Sequence, residues 1–494
     1  MSPIYFPRLS AEEAATLFEH KQTVAFSGFT AAGAAKAIPR ALARRAKELH
    51  AKGDPFQLNV LTGASTGHLD DLLAEAEAVA WRAPYQSSRI MRKQINEQKI
   101  EFTDMHLSHL PQSVLFGFLG PVDWAVIEAS EITRDGRVYL STSIGASPTF
   151  LHCAEKVIIE LNRYHSVRLS EMADVMMLPM PPHRSPIPIY EPLSKIGLPY
   201  AMVDPKKIVA VIDNNEPDGM GPLDPPDEIS RRIADQVVEF LLEEQRAGRI
   251  PPEFLPLQAG VGNIANAVMS CLGDHPDIPP FMMYTEVFQD GLIDLMEQGQ
   301  LLGASTCSLT VSDENLQRIY NNMDFFTQRI VLRPQELSNN PGVIRRLGVI
   351  ALNTALEFDL NGHSNSTHVC GTELMNGIGG SGDFTRNAYL YIFMAPSAVK
   401  GGKISTVVPM VTHPDHNEHS VQVLVTEQGL ADLRGLGPRE KTRRIIEHCA
   451  HPDYRDYLKG YLKGSPSGHI SHNLRNAFKL HVSLLENGTM KYWE

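Results

Sequence analysis

Short apolar runs at residues 24–29, 57–62, 124–129, 156–161 and 207–212 have the length of buried strands, and residues at helical spacing fall between them. Continuous apolar runs, rather than strict alternation, point to strands covered on both faces. Their interleaving with helices predicts an α/β fold with mostly parallel sheets. Past a polar, turn-rich stretch at 213–226, Ile229, Ile233, Val237 and Leu241 mark one face of a long helix with Asp227 and Glu228 in its first turn. The second half repeats this character, so the expected organisation is two α/β domains, 1–220 and 221–494. The recurrence of Gly63-Ala64-Ser65-Thr66 as Gly303-Ala304-Ser305-Thr306 is a faint hint that the two are related. Residues 179–199 are proline-rich but carry Ile187, Ile189 and Tyr190, which predicts an ordered excursion.

One apolar run, 280–284, ends near a lone carboxylate, Glu286, before Asp290-Gly291 leads into helical spacing at Leu292, Ile293, Leu295 and Met296. Ligands of open α/β sheets bind at the carboxyl ends of strands, which makes Glu286 a candidate nucleophile. A surface glutamate at a strand end is the plainer reading. Two glycine-rich segments, 258–264 and 377–384, can present backbone amides to a developing oxyanion. Near the N-terminus, a strand, the glycines Gly28 and Gly33, and a basic helix after Lys36 have the order of an anion site. The segment matches neither GxGxxG nor Walker A, so simple tight turns explain it equally well.

Two further groupings carry candidate chemistry. Glu427, Gln428 and Arg434 follow the strand-like run 421–426, as at the edge of an active site on a strand-to-helix junction; a carboxylate in a helix first turn is the alternative. His413, His416 and His419, with Asp415, could ligate zinc or iron, but Pro414 argues against a regular helix, and a polar loop closing a pocket is the simpler reading. His368, His448 and His451 stand isolated and are expected to be structural. No HExxH or DFG motif is present.

Composition narrows the classes. The chain has 494 residues, 43% hydrophobic and 21% charged, as expected of a globular enzyme. Its net charge of −12 disfavours non-specific binding to nucleic acid or to an anionic membrane. The five scattered cysteines have neither disulfide-framework nor metal-ligand spacing, which suits a reducing cytoplasm. The first residues lack the basic-then-apolar pattern of a signal peptide, and no apolar run of membrane-spanning length exists.

From about residue 26 to 455 the sequence resembles the acetyl-CoA hydrolase/transferase family of class I CoA-transferases. The most specific pieces are 256–263, Tyr284-Thr285-Glu286-Val287, 375–384 and 425–429. Ala259 stands where the family commonly has serine, and Thr285 where serine often precedes the glutamate. The resemblance implies two similar α/β domains of the NagB/RpiA/CoA-transferase-like fold, with the active site in the cleft between them and the glutamate in the second. It places the nucleophile at Glu286, the oxyanion hole at the amides of Val261 and Gly380, and further active-site positions at Asn339 and Glu427. It implies CoA contacts at Gly260, Val261, Gly262, Asn263, Gly380 and Lys403, with Lys36 and Arg434 as other candidates for the CoA phosphates. The implied activity is transfer of CoA between a short-chain acyl-CoA and a carboxylic acid, propionyl-CoA and succinate being the favoured pair. Succinyl-CoA with acetate, acyl-CoA hydrolysis and non-catalytic CoA binding are the alternatives. A cytoplasmic homodimer with no resident cofactor or metal is expected.

Overall fold

The computed structural model describes residues 5–220 and 225–492, so positions 221–224 of the expected boundary stretch lie outside the described residues. The chain forms two compact units. The first comprises Met1–Pro222, Met282–Met296 and Leu302–Leu347; the second comprises Leu223–Phe281, Glu297–Leu301 and Gly348–Glu494. The expected division at 220/221 treated each domain as one continuous piece. The contacts instead return the chain to the first unit after Phe281, so Glu286 and Asn339 belong there and not with residues 221–281.

In the first unit a sheet runs in the order Glu101–Phe102, Val79–Ala83, Leu58–Leu61, Thr23–Phe26 and Trp124–Ile132, all neighbours parallel. Lys156–Asn162 continues it in parallel beside Trp124–Ile132, and Ile208–Asn214 beside that. Arg137–Leu140 folds back antiparallel after the turn at Gly136, where φ is +85°. The strand Thr23–Phe26 is buried at every position, as the continuous apolar pattern predicted. Ile38, Leu42 and Ala46 of the helix Ala37–Ala51 pack on this sheet with Val24, Phe26, Leu58 and Val60. At the start of the chain Ser10 and Glu13 form a reciprocal capping box on the helix Ala11–Ala15.

The second unit contains four parallel strands, Leu257–Ala259, Ile350–Thr354, Leu390–Met394 and Val423–Thr426. Gly429–Asp432 closes this set as an antiparallel hairpin. The long helix spans Glu228–Arg246, its N-terminus capped by Asp227, whose side chain accepts from Ser230 N–H. Ile233, Val237 and Leu241 are buried along it, whereas Ile229 is exposed. The four-residue recurrence does not mark equivalent places. Gly63–Thr66 form a loop after a strand, while Gly303–Thr306 lie within the strand Leu301–Thr306.

The proline-rich excursion has no regular element but is anchored. The buried Arg333 guanidinium pairs with buried Asp174 and donates to the carbonyls of Pro192 (3.0 Å) and Ser194 (2.6 Å). Asp174 Oδ1 also accepts from Ile196 N–H at 2.7 Å.

The carboxyl ends of the central strands hold a buried charge cluster. Lys36 Nζ pairs with Glu128 and Asp218, and His165 Nε2 lies 3.3 Å from Glu128 and 3.4 Å from Asp218. Burial opposes a charge on His165, but Asp218 and Glu128 outweigh it and raise the imidazole to about 9. A group raised in the folded state above its unfolded value of about 6.5 contributes stability that is complete below that pH and is lost as pH rises through the folded value. The wild type should therefore lose stability relative to His165→Gln between about pH 6.5 and 9. Urea midpoints measured across that window check this; parallel pH profiles would contradict it.

Candidate functional site

The strand Phe281–Tyr284 ends, Glu286 occupies a bend, and a new strand, Val287–Gln289, pairs in parallel with Ser308–Thr310. The backbone at the bend is fixed on both sides. Thr285 N–H donates to Ser305 C=O at 2.9 Å, and the Glu286 carbonyl accepts from Cys307 N–H and Thr306 Oγ1, both at 2.8 Å. A short break between two ladders thus turns a glutamate out of a buried run and leaves its side chain half-buried.

Asn339 Nδ2 donates to Glu286 Oε1. Asn339 is fully buried at the C-terminal end of the short helix Gln335–Ser338. That helix is held from several directions. Gln335 N–H donates to Gly145 C=O (3.0 Å), Gln335 Nε2 to Leu107 C=O (2.8 Å), and the Tyr284 hydroxyl to Leu337 C=O (2.6 Å). Beside Glu286, Val287 packs with Phe29, Ala64, Leu107 and Cys307, and Tyr85 lies against them. Burial, and then the negative charges of Glu286 and Asp104, push the Tyr85 phenol up to about 12, so it stays protonated at neutral pH. The site therefore offers a carboxylate oriented by a buried amide, beside an apolar wall with a neutral phenol, which can act as a nucleophile.

Val261, Gly380, Glu427, Lys403 and Arg434 lie in the second unit. The glycine turn before the helix Asn263–Asp274 is present, with Gly262 at φ +120° and Val261 53% exposed. The Gly260 amide donates to Leu352 C=O at 3.0 Å and extends the ladder. Gly380 is buried at the start of the five-residue helix Ser381–Thr385. Glu427 sits in a two-residue hairpin turn between Val423–Thr426 and Gly429–Asp432, correcting both the strand-to-helix and the helix-first-turn expectations. Burial opposes its charge, but donation from the Ser397 hydroxyl and amide, with Gln428 adding to it, holds its carboxyl below the usual range. Arg232 donates to the Glu427 carbonyl at 3.0 Å.

Two proposed phosphate contacts are corrected. Lys36 is committed to Glu128 and Asp218, and Arg434 is held by Glu244 and Asp432. Lys403 is exposed. The expected anion site after Gly28 is also taken, because the buried Glu160 carboxylate accepts the N–H groups of Lys36, Ala37 and Ile38 at 2.7–3.0 Å. The helix start binds an anion, but the anion is the chain's own.

The three loop histidines do not converge. His416 is buried beside Phe393, His419 is exposed, and His413 lies against His368, which the sequence left isolated. His451 caps the helix Pro452–Lys463 by accepting from Asp453 N–H at 3.2 Å. Sequence reasoning missed Gln335, Tyr85 and Ser397: Tyr85 and Ser397 lie far along the chain from Glu286 and Glu427, and the bonds that hold Gln335 in place run to the distant Leu107 and Gly145. Only the buried spacing of Gln335 and Asn339 on one helical turn was available as a signal.

Models of the acetyl-CoA hydrolase/transferase N-terminal and C-terminal domains match residues 5–213 and 316–462. The chain belongs to the acetyl-CoA hydrolase/transferase family. Among its relatives, the propanoyl-CoA:succinate CoA transferase of Escherichia coli is 58% identical, covering 98% of both chains. The succinyl-CoA:acetate CoA-transferase of Clostridium kluyveri is 45% identical over 98% of this chain and 90% of that one. An acetyl-CoA hydrolase of Candida glabrata is 43% identical over 97% and 94%. RipA from Yersinia pestis shares the fold at TM-score 0.69 and 23% identity, covering 92% of this chain and 97% of its own. A 4-hydroxybutyrate CoA-transferase from Porphyromonas gingivalis does so at TM-score 0.63 and 22% identity, with the same coverages. The α/β architecture with mostly parallel sheets is thus the CoA-transferase fold of this family.

The support beneath Asn339 is testable. A Cβ on Gly63 would lie 2.8 Å from Gly28 C=O and 2.9 Å from Gln335 Oε1. Gly63→Ala should cost about 1–3 kcal/mol through overpacking. Chemical denaturation of the variant checks this, and an unchanged midpoint would contradict the close packing.

Proposed function

We propose that the chain transfers coenzyme A between propanoyl-CoA and succinate, giving propanoate and succinyl-CoA, with Glu286 as covalent carrier. The observation that carries the mechanism is the half-buried Glu286 carboxylate oriented by buried Asn339. The 58%-identical relative favours the substrate pair.

A Glu286 oxygen attacks the thioester carbonyl, a C–O bond forms, the C–S bond breaks, and CoA thiolate leaves an acyl-glutamyl anhydride. The thiolate then attacks the Glu286 carboxyl carbon, giving a glutamyl-CoA thioester and the first free acid. The second carboxylate attacks that thioester, expels thiolate and forms a new anhydride. Thiolate attack on the new acyl carbonyl regenerates Glu286 and yields the new acyl-CoA. A carboxylate suits these exchanges because its anhydride keeps the acyl group activated towards thiolate.

The amides of Val261 and Gly380 are our proposed oxyanion donors. Gly260, Gly262, Asn263 and Lys403 are proposed CoA contacts, Lys403 meeting phosphate. For Gly260 the contact would involve something other than its amide, which is already bonded. Glu427, fixed by Ser397, is a proposed active-site carboxylate. The same reading makes the working species a cytoplasmic homodimer whose chemistry needs no resident cofactor. The described residues contain no helix long and apolar enough to cross a membrane.

Water as second acceptor would make the protein a hydrolase, the activity named for the Candida glabrata relative. Assays of propanoyl-CoA with succinate, acetate or no acid separate these readings. We expect succinyl-CoA with succinate and little free thiol without acid; equal thiol release with and without acid would overturn the transferase. Glu286→Ala should abolish exchange. Asn339→Ala should lower kcat on the order of 10²-fold by letting the nucleophile wander, with KM changed much less. A variant at Asn339 with wild-type kcat would remove it from the mechanism.

A further inference from the structure

Two segments of the second unit, 364–369 and 411–416, are laced together by backbone. Ser364 N–H donates to His416 C=O at 2.8 Å, and Ser364 C=O accepts from the amides of Asp415 and His416 at 3.1 Å each. Between them Asp415, its side chain 4% exposed, accepts from Ser366 N–H (2.6 Å) and from Thr367 Oγ1 (2.8 Å to Oδ1). His413 Nε2 lies 3.3 Å from Asp415 Oδ1, and the His413 and His368 rings lie with centroids 4.0 Å apart, tilted 40° to each other.

The hydrogen bonds fix a tautomer. The single proton of the Thr367 hydroxyl is used towards Asp415, so at its 2.7 Å contact with His368 Nδ1 the hydroxyl is the acceptor. His368 therefore carries its proton on Nδ1 and keeps a lone pair on Nε2. A ring nitrogen that donates to an oxygen while the other offers a lone pair is the arrangement of a metal-ligating histidine and its supporting partner.

We propose that His368, His413 and Asp415 form a binding site for a zinc-type divalent transition-metal cation. One ligand atom from each lies within 4.8 Å of the others. Small side-chain rotations would bring such atoms to the separation of roughly 3.3 Å that metal–ligand bonds near 2.0 Å require in a tetrahedral site. Two imidazoles and one carboxylate suit zinc, and His413, with 45% of its side chain exposed, leaves a side open to solvent and a fourth ligand. The other described cluster of this kind, Glu128, His165 and Asp218, already holds a cation in Lys36. The cation would act as a clamp. Thr367 C=O accepts from Met375 N–H at 2.7 Å and Ser366 C=O from Asn376 Nδ2 at 3.3 Å, so the metal loop supports the segment leading to Gly380.

The test is calorimetric titration of the tag-free full chain with Zn²⁺ alone, after chelation and dialysis. Wild type should bind one Zn²⁺ per chain. His368→Ala and His413→Ala should each weaken binding by more than tenfold, Thr367→Val by about tenfold, and His419→Ala, at the exposed neighbour, not at all. Absence of binding to wild type, or equal binding by wild type and both ligand variants, would overturn the site.

Discussion

The bond from Asn339 Nδ2 to Glu286 Oε1 connects the local strand geometry to the proposed chemistry. A half-buried glutamate at a bend has rotamers to choose among, and a nucleophile that wanders by about an ångström loses on the order of two powers of ten in rate. Asn339 can select one orientation only because it cannot itself move. It is fully buried, its helix is tied to Gly145, Leu107 and Tyr284, and Gly63 comes close enough to exclude any side chain of its own. Removing any of these supports would be felt at Glu286 through the same short helix.

A second constraint lies at the ends of the parallel strands of the first unit. Parallel sheets place several strand ends side by side, and here that edge is filled by the chain's own charges. Glu160 occupies the amides at the start of the helix Ala37–Ala51, while Lys36 and His165 are neutralised by Glu128 and Asp218. A buried cluster of this kind is costly to break from one side, because the surviving charges lose their partners. The geometry that elsewhere binds ligands is occupied here by the chain's own groups.

Much of the fold was legible because it is written in local pattern. The apolar runs, the helix face of Ile233, Val237 and Leu241, the Gly262 turn and the carboxylate interrupting a buried run each declare themselves within a few residues. The family resemblance located Glu286 and Asn339, and the structure brings these two into contact. Partnerships across long stretches of chain were not legible. Lys36 and Arg434 look like phosphate ligands until Asp218 and Glu244 are seen beside them, since a basic side chain does not announce its partner. For the same reason three histidines close in sequence suggested a cluster, while the ring that actually meets His413 comes from His368. The hairpin at Glu427 was misread because the strand after it is short and carries little apolar pattern.

The central claim is that Glu286 becomes covalently attached to coenzyme A during turnover. Mixing the protein with propanoyl-CoA, quenching with acid and mapping peptides by mass spectrometry tests it most directly. The account requires a CoA-sized adduct on the peptide containing Glu286, discharged when succinate is added before the quench and absent from Glu286→Ala. Rapid CoA transfer with no adduct on that peptide, or an adduct on another residue, would contradict it.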